Sequence, residues 1–281
     1  MVRVCQKKYD IIEINRIKEV KVLRKWWIIF FALLFVTSGC SQWPNEQKEV
    51  IPKDLHIVSI GDSLTQGVGD SSNSGGYIPY LEQRLEQLDS VNDAQFENYG
   101  IKGNRTDQLL DRLDEKEVQQ AIQESDVVVI TIGGNDVMKV FKDNFMKLRI
   151  EEFEREQELY EERLHKIIQT VREQNKETGI VLIGLYNPFR EVFGDVKEVK
   201  EIMRDWNAAS KSIVEEYERT SFVAVDDIFQ NPQENLLYKD QFHPNDRGYE
   251  LIAERIFETI EGKELEKLTN RKIIYVNEDS V

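Results

Sequence analysis

Short strand-like segments alternate with longer helix-like segments from residue 54 to residue 260, and this alternation constrains the fold more than any other feature. The strand-like segments are residues 55–60, 95–99, 127–132, 180–185 and 222–225. The helix-like segments are residues 77–88, 107–124 with a break, 153–177, 199–219 and 246–260. Strands separated by helices form parallel sheets with right-handed crossovers and helices on both faces. We therefore predict an α/β protein: a single three-layer α/β/α sandwich around a five-stranded parallel sheet.

The turn after the first predicted strand places a serine between glycines. Residues 61–67 read Gly-Asp-Ser-Leu-Thr-Gln-Gly. Glycine permits backbone conformations that a Cβ atom would block, so the Ser63 hydroxyl can stand clear at the carboxyl end of the strand. Open parallel sheets carry their chemistry at this end. Because Gly, Asp and Ser are also common in surface turns, these residues alone leave a nucleophile and an ordinary turn equally open.

The loops after the second and third strands carry possible oxyanion donors. Gly100 and Gly103 lie in the first of these loops, where an N–H group near a helix start can bind an anion. Capping of that helix by Thr106 would explain much of the same pattern. The second loop reads Gly-Gly-Asn-Asp, and the Asn135 amide could point an N–H donor at a developing oxyanion. A plain Gly-Asn turn is the alternative there.

His243 is the histidine best placed to act as a base. His56 falls within the first strand and His165 in the middle of a helix, whereas His243 follows the fifth strand. Asp240 precedes it by three residues, so its carboxylate can bind one ring nitrogen while the other nitrogen faces the serine. An isolated Asp-x-x-His is often structural. Its place at the end of the domain favours catalysis.

These four segments, in this order, resemble the SGNH hydrolases, also called the GDSL lipase/acylhydrolase family. The resemblance covers about residues 54–262 and includes Gly-Asp-Ser-Leu, Gly103, Gly-Gly-Asn-Asp and Asp-x-x-His. It implies the flavodoxin-like fold of that family. It also implies that Ser63 is the nucleophile, that His243 is the general base and acid, and that Asp240 orients His243.

The same resemblance implies an oxyanion hole. Its donors would be the backbone N–H groups of Ser63 and Gly103 and the side chain of Asn135. Gly103 is the match because the family's glycine lies five residues after the asparagine that corresponds to Asn98. Gly100 remains a competitor for this role.

Cysteine and histidine are scarce. The chain has two cysteines, Cys5 and Cys40, and three histidines. This composition disfavours a cysteine nucleophile, an internal disulfide after residue 40 and a transition-metal site. We therefore expect no metal and no cofactor, and the available chemistry narrows to hydroxyl, imidazole and carboxylate groups.

The amino-terminal segment has the pattern of a secretory signal. Arg24 and Lys25 precede eleven apolar residues, 26–36, which is shorter than the ~20 needed to span a bilayer as a helix. Residues 1–39 end in Thr-Ser-Gly and are followed by Cys40. They resemble a bacterial lipoprotein signal in which Cys40 is lipidated, although Thr37 stands where that motif more often has Leu. An uncleaved signal anchor is the alternative. Residues 40–53, which are polar, would form a tether.

Charge limits the partners. The formal net charge is −15, and residues 1–39 carry eight basic and three acidic residues, so the remainder is strongly acidic. An acidic body repels phosphate backbones, which disfavours nucleic acid as a partner. The expected partners are a small-molecule ester and, through lipidated Cys40, the extracytoplasmic face of the cell membrane.

We therefore predict a lipid-anchored serine ester hydrolase (esterase, lipase or acylhydrolase) that cleaves lipids or acylated glycans through an acyl-serine intermediate. The alternative is a membrane-tethered binding lipoprotein that has the fold without turnover.

Residues 138–162, with Phe141, Phe145 and Leu148 at helical spacing, form either a mobile apolar cap or a core-packing insertion, and we favour the insertion. Residues 263–281 are predicted to be a tail outside the domain.

Overall fold

The five predicted strands form one parallel sheet in the computed structural model, which describes residues 51–144, 149–187, 196–230 and 233–274. The strands are β1 (Lys53–Gly61), β2 (Val91–Gly100), β3 (Val127–Thr131), β4 (Gly179–Ile183) and β5 (Thr220–Val223). Their order across the sheet is β2-β1-β3-β4-β5, with every neighbouring pair parallel. The predicted fold class is confirmed.

Nine α-helices connect and follow the strands in the described residues. They are α1 (Ser63–Gln66), α2 (Ile78–Leu85), α3 (Thr106–Arg112), α4 (Lys116–Glu124), α5 (Gly134–Asp143), α6 (Ile150–Gln174), α7 (Lys197–Glu215), α8 (Asp246–Ile260) and α9 (Lys263–Leu268). The predicted break in residues 107–124 lies between α3 and α4. Three helices, α1, α5 and α9, were not predicted, since each is short or begins in a glycine-rich turn.

The helices cover both faces of the sheet because the central strands are apolar on both sides. Every residue of β3 and β4 is buried. On β1, Ile57 packs with residues of α2, α8 and α9, whereas its neighbour Val58 packs with residues of α3, α4, α6 and α7. Successive side chains of a strand point to opposite faces, so this alternation produces the three layers.

The carboxyl ends of β1 and β3 form the crevice in which the serine turn lies. From β1 the chain crosses first to β2 on one side and then to β3 on the other. Such a reversal opens a crevice at the ends of the two central strands. Gly61 ends β1 with a φ of +140°, and a Cβ atom there would lie 2.0 Å from the Thr131 carbonyl oxygen. Only glycine allows β1 and β3 to approach this closely before the turn.

The packed chain extends beyond residue 262, where the sequence had placed the end of the domain. Leu265, Leu268 and Ile273 are at most 2% exposed and belong to the core on the α8 face. The prediction of a tail beginning at residue 263 was wrong, because α9 covers apolar surface beside the start of β4. Residues 275–281 lie outside the described residues.

The predicted signal, Cys40 and most of the predicted tether also lie outside the described residues. Among the helices that the structure describes, none is long and apolar enough to cross a bilayer.

Candidate active site

Ser63 is the first residue of α1, directly beyond β1. Asp62 caps this short helix, since its Oδ1 accepts a hydrogen bond from the Leu64 N–H group at 3.0 Å. The Asp62 N–H group donates to the Thr131 carbonyl oxygen at 3.0 Å, which joins the turn to β3. The Ser63 N–H group has no acceptor within the described part of the chain. It is therefore available to a ligand.

The structure brings His243 and Asp240 to Ser63. The Nε2 atom of His243 lies 2.9 Å from Ser63 Oγ, and its Nδ1 atom lies 2.6 Å from Asp240 Oδ2. Ser63 and His243 are 2% and 6% exposed, whereas the Asp240 side chain is 38% exposed. The three predicted residues thus form one hydrogen-bonded series at the carboxyl edge of the sheet.

Hydrogen bonds define the charge state of Asp240. Partial burial would raise the pKa of its carboxyl group, but the His243 ring and the N–H groups of His243 and Phe242 outweigh burial and lower that pKa. An ionised Asp240 accepts a hydrogen bond from the Nδ1–H group of His243. In the neutral ring the other nitrogen, Nε2, carries no proton and accepts a hydrogen bond from the Ser63 hydroxyl. This tautomer is the one required to remove a proton from Ser63.

The loop that carries His243 is held from three directions. The N–H group of Tyr238 donates to the His243 carbonyl oxygen at 2.7 Å. The hydroxyl of Tyr186, which follows β4, donates to the Phe242 carbonyl oxygen at 2.6 Å. At Gly69, a Cβ atom would lie 2.3 Å from the Pro244 carbonyl oxygen, so the chain beyond α1 contacts this loop directly.

Gly100, the last residue of β2, and Gly103, in the loop that follows, have different environments. The Gly100 N–H group donates to Asn98 Oδ1 at 2.9 Å, and a Cβ atom on Gly100 would lie 2.2 Å from the Gln66 backbone nitrogen. Gly103 has a φ of +86°, open space around its Cβ direction and, within the described residues, no acceptor for its N–H group. Gly100 is thus a packing residue, and Gly103 has the free donor.

Asn135 lies at the start of α5, directly after the Gly133-Gly134 turn. One N–H of its side-chain amide donates to the Asn104 carbonyl oxygen at 2.9 Å. The amide has two hydrogens, so this bond fixes the group while leaving the second hydrogen for a ligand. Asn135 therefore joins the loop after β3 to the loop after β2.

A buried chain of hydroxyl groups beneath Ser63 was not identified from the sequence. Tyr77 Oη, Thr65 Oγ1 and Thr131 Oγ1 follow one another at 3.3 and 2.8 Å, and Thr131 Oγ1 donates to Asp62 Oδ1 at 3.0 Å. Burial raises the pKa of Asp62 to about 7, despite the hydrogen bonds that it accepts. Thr131, which links Thr65 to Asp62, is more than 60 residues from both, so no local pattern could reveal the chain.

A cavity opens beside Ser63. It provides about 430 Å³ of space, part of it open to solvent. Its apolar lining comes from α1, from the carboxyl ends of β3 and β4 with the residues after them, and from the His243 loop: Leu64, Ile132, Ile183, Leu185, Tyr186 and Phe242. Asn135 also lines it. The series of Ser63, His243 and Asp240 thus borders an apolar pocket with amide donors at its edge.

Four further residues have structural roles: Trp206, Asn207, His56 and His165. Trp206 is fully buried and stacks on Tyr160 with ring centroids 4.8 Å apart. Asn207 donates to and accepts from the Leu185 backbone, both at 2.8 Å, and so holds one wall of the cavity. His56 bonds Glu97 and His165 bonds Tyr217.

The described parts of residues 138–162 belong to the helical layer. Val140 on α5 and Phe153 on α6 are buried in the core, which agrees with a core-packing insertion. Phe145, Leu148 and Phe189 lie outside the described residues. Within the part of the chain that is described, no three His, Cys, Asp or Glu side chains are placed to hold a metal ion.

A serine, a histidine and an aspartate bonded in series at the carboxyl edge of a doubly wound sheet define a serine hydrolase type of site. Residues 59–251 match the model of the GDSL-like lipase/acylhydrolase family. The chain belongs to this family and is an esterase/lipase-type enzyme.

Three similar proteins illustrate the range of the family. The uncharacterized protein YpmR of Bacillus subtilis is 36% identical over 248 residues, which are 85% of this chain and 97% of YpmR. The spore germination lipase LipC of Bacillus licheniformis is 25% identical over 209 residues, 72% of this chain and 94% of LipC. The third is a mutant of Axe2, an acetyl-xylooligosaccharide esterase from Geobacillus stearothermophilus. Its structure aligns with a TM-score of 0.58 and 25% identity, and the alignment covers 75% of this chain and 96% of the Axe2 chain.

Proposed function

We propose that this enzyme hydrolyses carboxylic esters of lipids or acylated glycans through an acyl-serine intermediate. We also propose that it is held outside the cytoplasm by its own lipid anchor. The observation that carries the chemical part is the pair of short contacts from His243, 2.9 Å to Ser63 Oγ and 2.6 Å to Asp240 Oδ2. A binding protein would have no use for this complete relay.

The first half-reaction is acylation. Ser63 Oγ attacks the ester carbonyl carbon while its proton passes to His243 Nε2. The carbonyl electrons move to oxygen, and the resulting oxyanion accepts hydrogen bonds from the N–H groups of Ser63 and Gly103 and from Asn135. The C–O bond to the alcohol then breaks as His243 returns the proton to the leaving oxygen. Asp240 stabilises the imidazolium throughout.

The second half-reaction is deacylation by water. His243 removes a proton from a water molecule, whose oxygen attacks the acyl carbon. The same donors stabilise the second oxyanion. When the bond to Ser63 Oγ breaks, His243 returns the proton to Ser63, and the carboxylic acid leaves. No cofactor is required by either step.

The cavity and the relatives support the proposed substrate class. The cavity beside Ser63 is lined mainly by apolar side chains with the Asn135 amide at its edge, which is the character of small-molecule sites. The relative LipC is a lipase, and the structural neighbour Axe2 is an esterase of acetylated xylo-oligosaccharides. Both activities cleave carboxylic esters, and they differ in acyl length and in the alcohol.

The location follows from the amino-terminal sequence. A basic flank, the apolar residues 26–36 and the sequence Ser-Gly-Cys that ends at Cys40 support lipidation of this cysteine. Cells that express the full chain should carry it in the membrane fraction, labelled by a fatty-acid analogue. A Cys40→Ala variant should lose the label. A wild-type protein without the label would refute the anchor and leave the hydrolase intact.

The catalytic proposal is tested with Ser63→Ala. We expect this variant to fold normally and to lose turnover of short p-nitrophenyl esters and labelling by a fluorophosphonate probe. Turnover at the wild-type rate would show that Ser63 is not the nucleophile. A panel of esters of graded chain length, with acetylated sugars included, then distinguishes lipase from glycan esterase. Wild-type protein that hydrolyses no member and resists the probe would support the binding alternative.

A further inference from the structure

We propose that Asp136 is a positioning residue of the oxyanion hole, because its carboxylate joins the loop that carries Gly103 to the helix that carries Asn135. This inference rests on the proposed ester hydrolysis. Asp136 does not touch Ser63 or His243, and it would act only through the two donors.

The first part of the connection is the pair Asp136 and Thr106. Asp136, on α5, is fully buried. Its Oδ1 atom accepts from Thr106 Oγ1 at 2.6 Å, and its two oxygens accept from the Thr106 N–H group at 3.2 and 3.1 Å. Thr106 is the first residue of α3 and follows Gly103 by three residues. The start of α3 is thus bonded directly to the start of α5.

The second part of the connection is the pair Asn135 and Asn104. The Asn135 amide donates to the Asn104 carbonyl oxygen at 2.9 Å. Two consecutive residues of α5 therefore bind two residues that closely follow Gly103: Asn104 in the loop and Thr106 at the start of α3. Two bonded pairs restrict both the separation of the loops and their relative rotation, so the free N–H of Gly103 and the free amide hydrogen of Asn135 keep a fixed relation.

The charge of Asp136 suits this role. The Nη1 atom of Arg163, on α6, lies 3.6 Å from Asp136 Oδ1 and 3.0 Å from Glu156 Oε1. Burial raises the pKa of Asp136 to about 6, so the carboxylate is mostly ionised at neutral pH. An ionised carboxylate presents only acceptors and can bind both donors of Thr106. An asparagine would turn an N–H₂ group toward those donors.

Catalysis by an oxyanion hole depends on donors that are already placed where charge develops. Loss of one donor costs roughly 10²- to 10³-fold in turnover. Displacement of two donors without loss of either should cost less, so we expect Asp136→Asn to lower kcat by about 10- to 100-fold. The KM should change by less than about threefold, because the ground-state carbonyl makes weaker bonds to these donors.

A double-mutant cycle with Asn135→Ala separates positioning from a general structural effect. If Asp136 acts through the oxyanion hole, Asp136→Asn should cost at least about threefold less in the Asn135→Ala background than in the native one. Equal losses in the two backgrounds, or no loss in the native one, would overturn the proposal.

Thr106→Val provides a second test in case Asp136→Asn does not fold. It removes the 2.6 Å hydroxyl bond and retains the β-branched shape and the buried carboxylate. The matched control is Thr178→Val, which removes a buried hydroxyl bond of 3.0 Å to Ser125 at the opposite end of β3. We expect kcat to fall about three- to tenfold in Thr106→Val and to stay unchanged in Thr178→Val. The two variants should lose similar amounts of stability. Equal kcat values in the two variants would contradict the proposal.

Failure of the proposed function would be recognised separately. If Ser63→Ala kept wild-type turnover, the nucleophile assignment would fall whatever the result at Asp136. If Ser63→Ala were inactive and Asp136→Asn fully active, only the positioning role would fall.

Discussion

His243 Nε2 lies 2.9 Å from Ser63 Oγ although 180 residues separate them in the sequence. Both residues follow the carboxyl ends of strands, Ser63 after β1 and His243 in the loop before α8. Direct contacts draw the two loops together: Gly69 packs on Pro244, and the Tyr249 hydroxyl donates to the Val68 carbonyl oxygen at 2.8 Å. The serine turn and the histidine loop are therefore built as one unit.

Asp240→Asn should lower kcat by about 10²- to 10⁴-fold. The amide can still accept from the N–H groups of His243 and Phe242, so the loop is retained. With its oxygen on those two N–H groups, the amide turns its N–H₂ group toward His243 Nδ1, which favours an unprotonated Nδ1 and a protonated Nε2 that cannot take the Ser63 proton. Steady-state kinetics and the rate of fluorophosphonate labelling measure this. A kcat within threefold of wild type would show that Asp240 does not orient His243.

Gly103→Ala and Gly100→Ala should have different effects. At Gly103 the side chain has space, but the φ of +86° is strained for alanine by about 1–2 kcal/mol. Relaxation would move its N–H group, so we expect kcat to fall at least about tenfold with a small loss of stability. At Gly100 the new Cβ atom would meet the Gln66 backbone nitrogen, and the main effect should be unfolding.

Kinetics and thermal unfolding of the two variants check this difference. A Gly103→Ala enzyme with normal kcat would remove Gly103 from the oxyanion hole. A Gly100→Ala protein as stable as wild type would contradict the close contact with α1.

Asp62→Asn should stabilise the protein more at pH 8 than at pH 5. Burial raises the folded-state pKa of Asp62 from 3.8 to about 7, so between these values the folded state binds more protons than the unfolded state. The contribution of Asp62 to stability is therefore greatest at low pH and is lost as the pH rises through 7. Asparagine keeps an acceptor for Leu64 N–H and Thr131 Oγ1 without the buried charge.

Urea unfolding at the two pH values measures the effect, and the stabilisation should be about 2–3 kcal/mol larger at pH 8 than at pH 5. Burial also raises the pKa of Asp136, so the wild type should lose additional stability over part of the same pH range. An Asp62→Asn protein that is less stable than wild type at pH 8 would show that the ionised carboxylate is favourable in the fold.

Leu268→Ala should destabilise the domain by about 2–5 kcal/mol, because Leu268 is fully buried where α9 packs beside Gly179. The matched control is Ile274→Ala in the same segment, since Ile274 is 50% exposed and its loss should change stability by less than about 0.5 kcal/mol. Chemical denaturation measures both. Equal effects would mean that residues beyond 262 do not contribute to the core.

The alternation of apolar strands with amphipathic helices was enough to determine the layers and the parallel sheet. A strand buried on both faces needs a nearly continuous apolar run, as in residues 127–130 of β3 and 180–183 of β4. The glycine-flanked Ser63 and the pair Asp240 and His243 were also readable, since each lies in a short local motif. The boundary at residue 262 was misplaced because the apolar residues of α9 are few and acquire a partner only in the fold.

Only the tertiary structure decided how separate loops share one site. The choice between Gly100 and Gly103 depended on which N–H group was already bonded, and that bond is made by an asparagine side chain in three dimensions. The connection from Asp136 to Thr106 joins residues 30 positions apart, and the bonds from Thr131 to Thr65 and Asp62 join residues more than 60 positions apart. Sequence patterns report the local preference of a segment, whereas contacts between segments depend on the register and packing of the whole sheet.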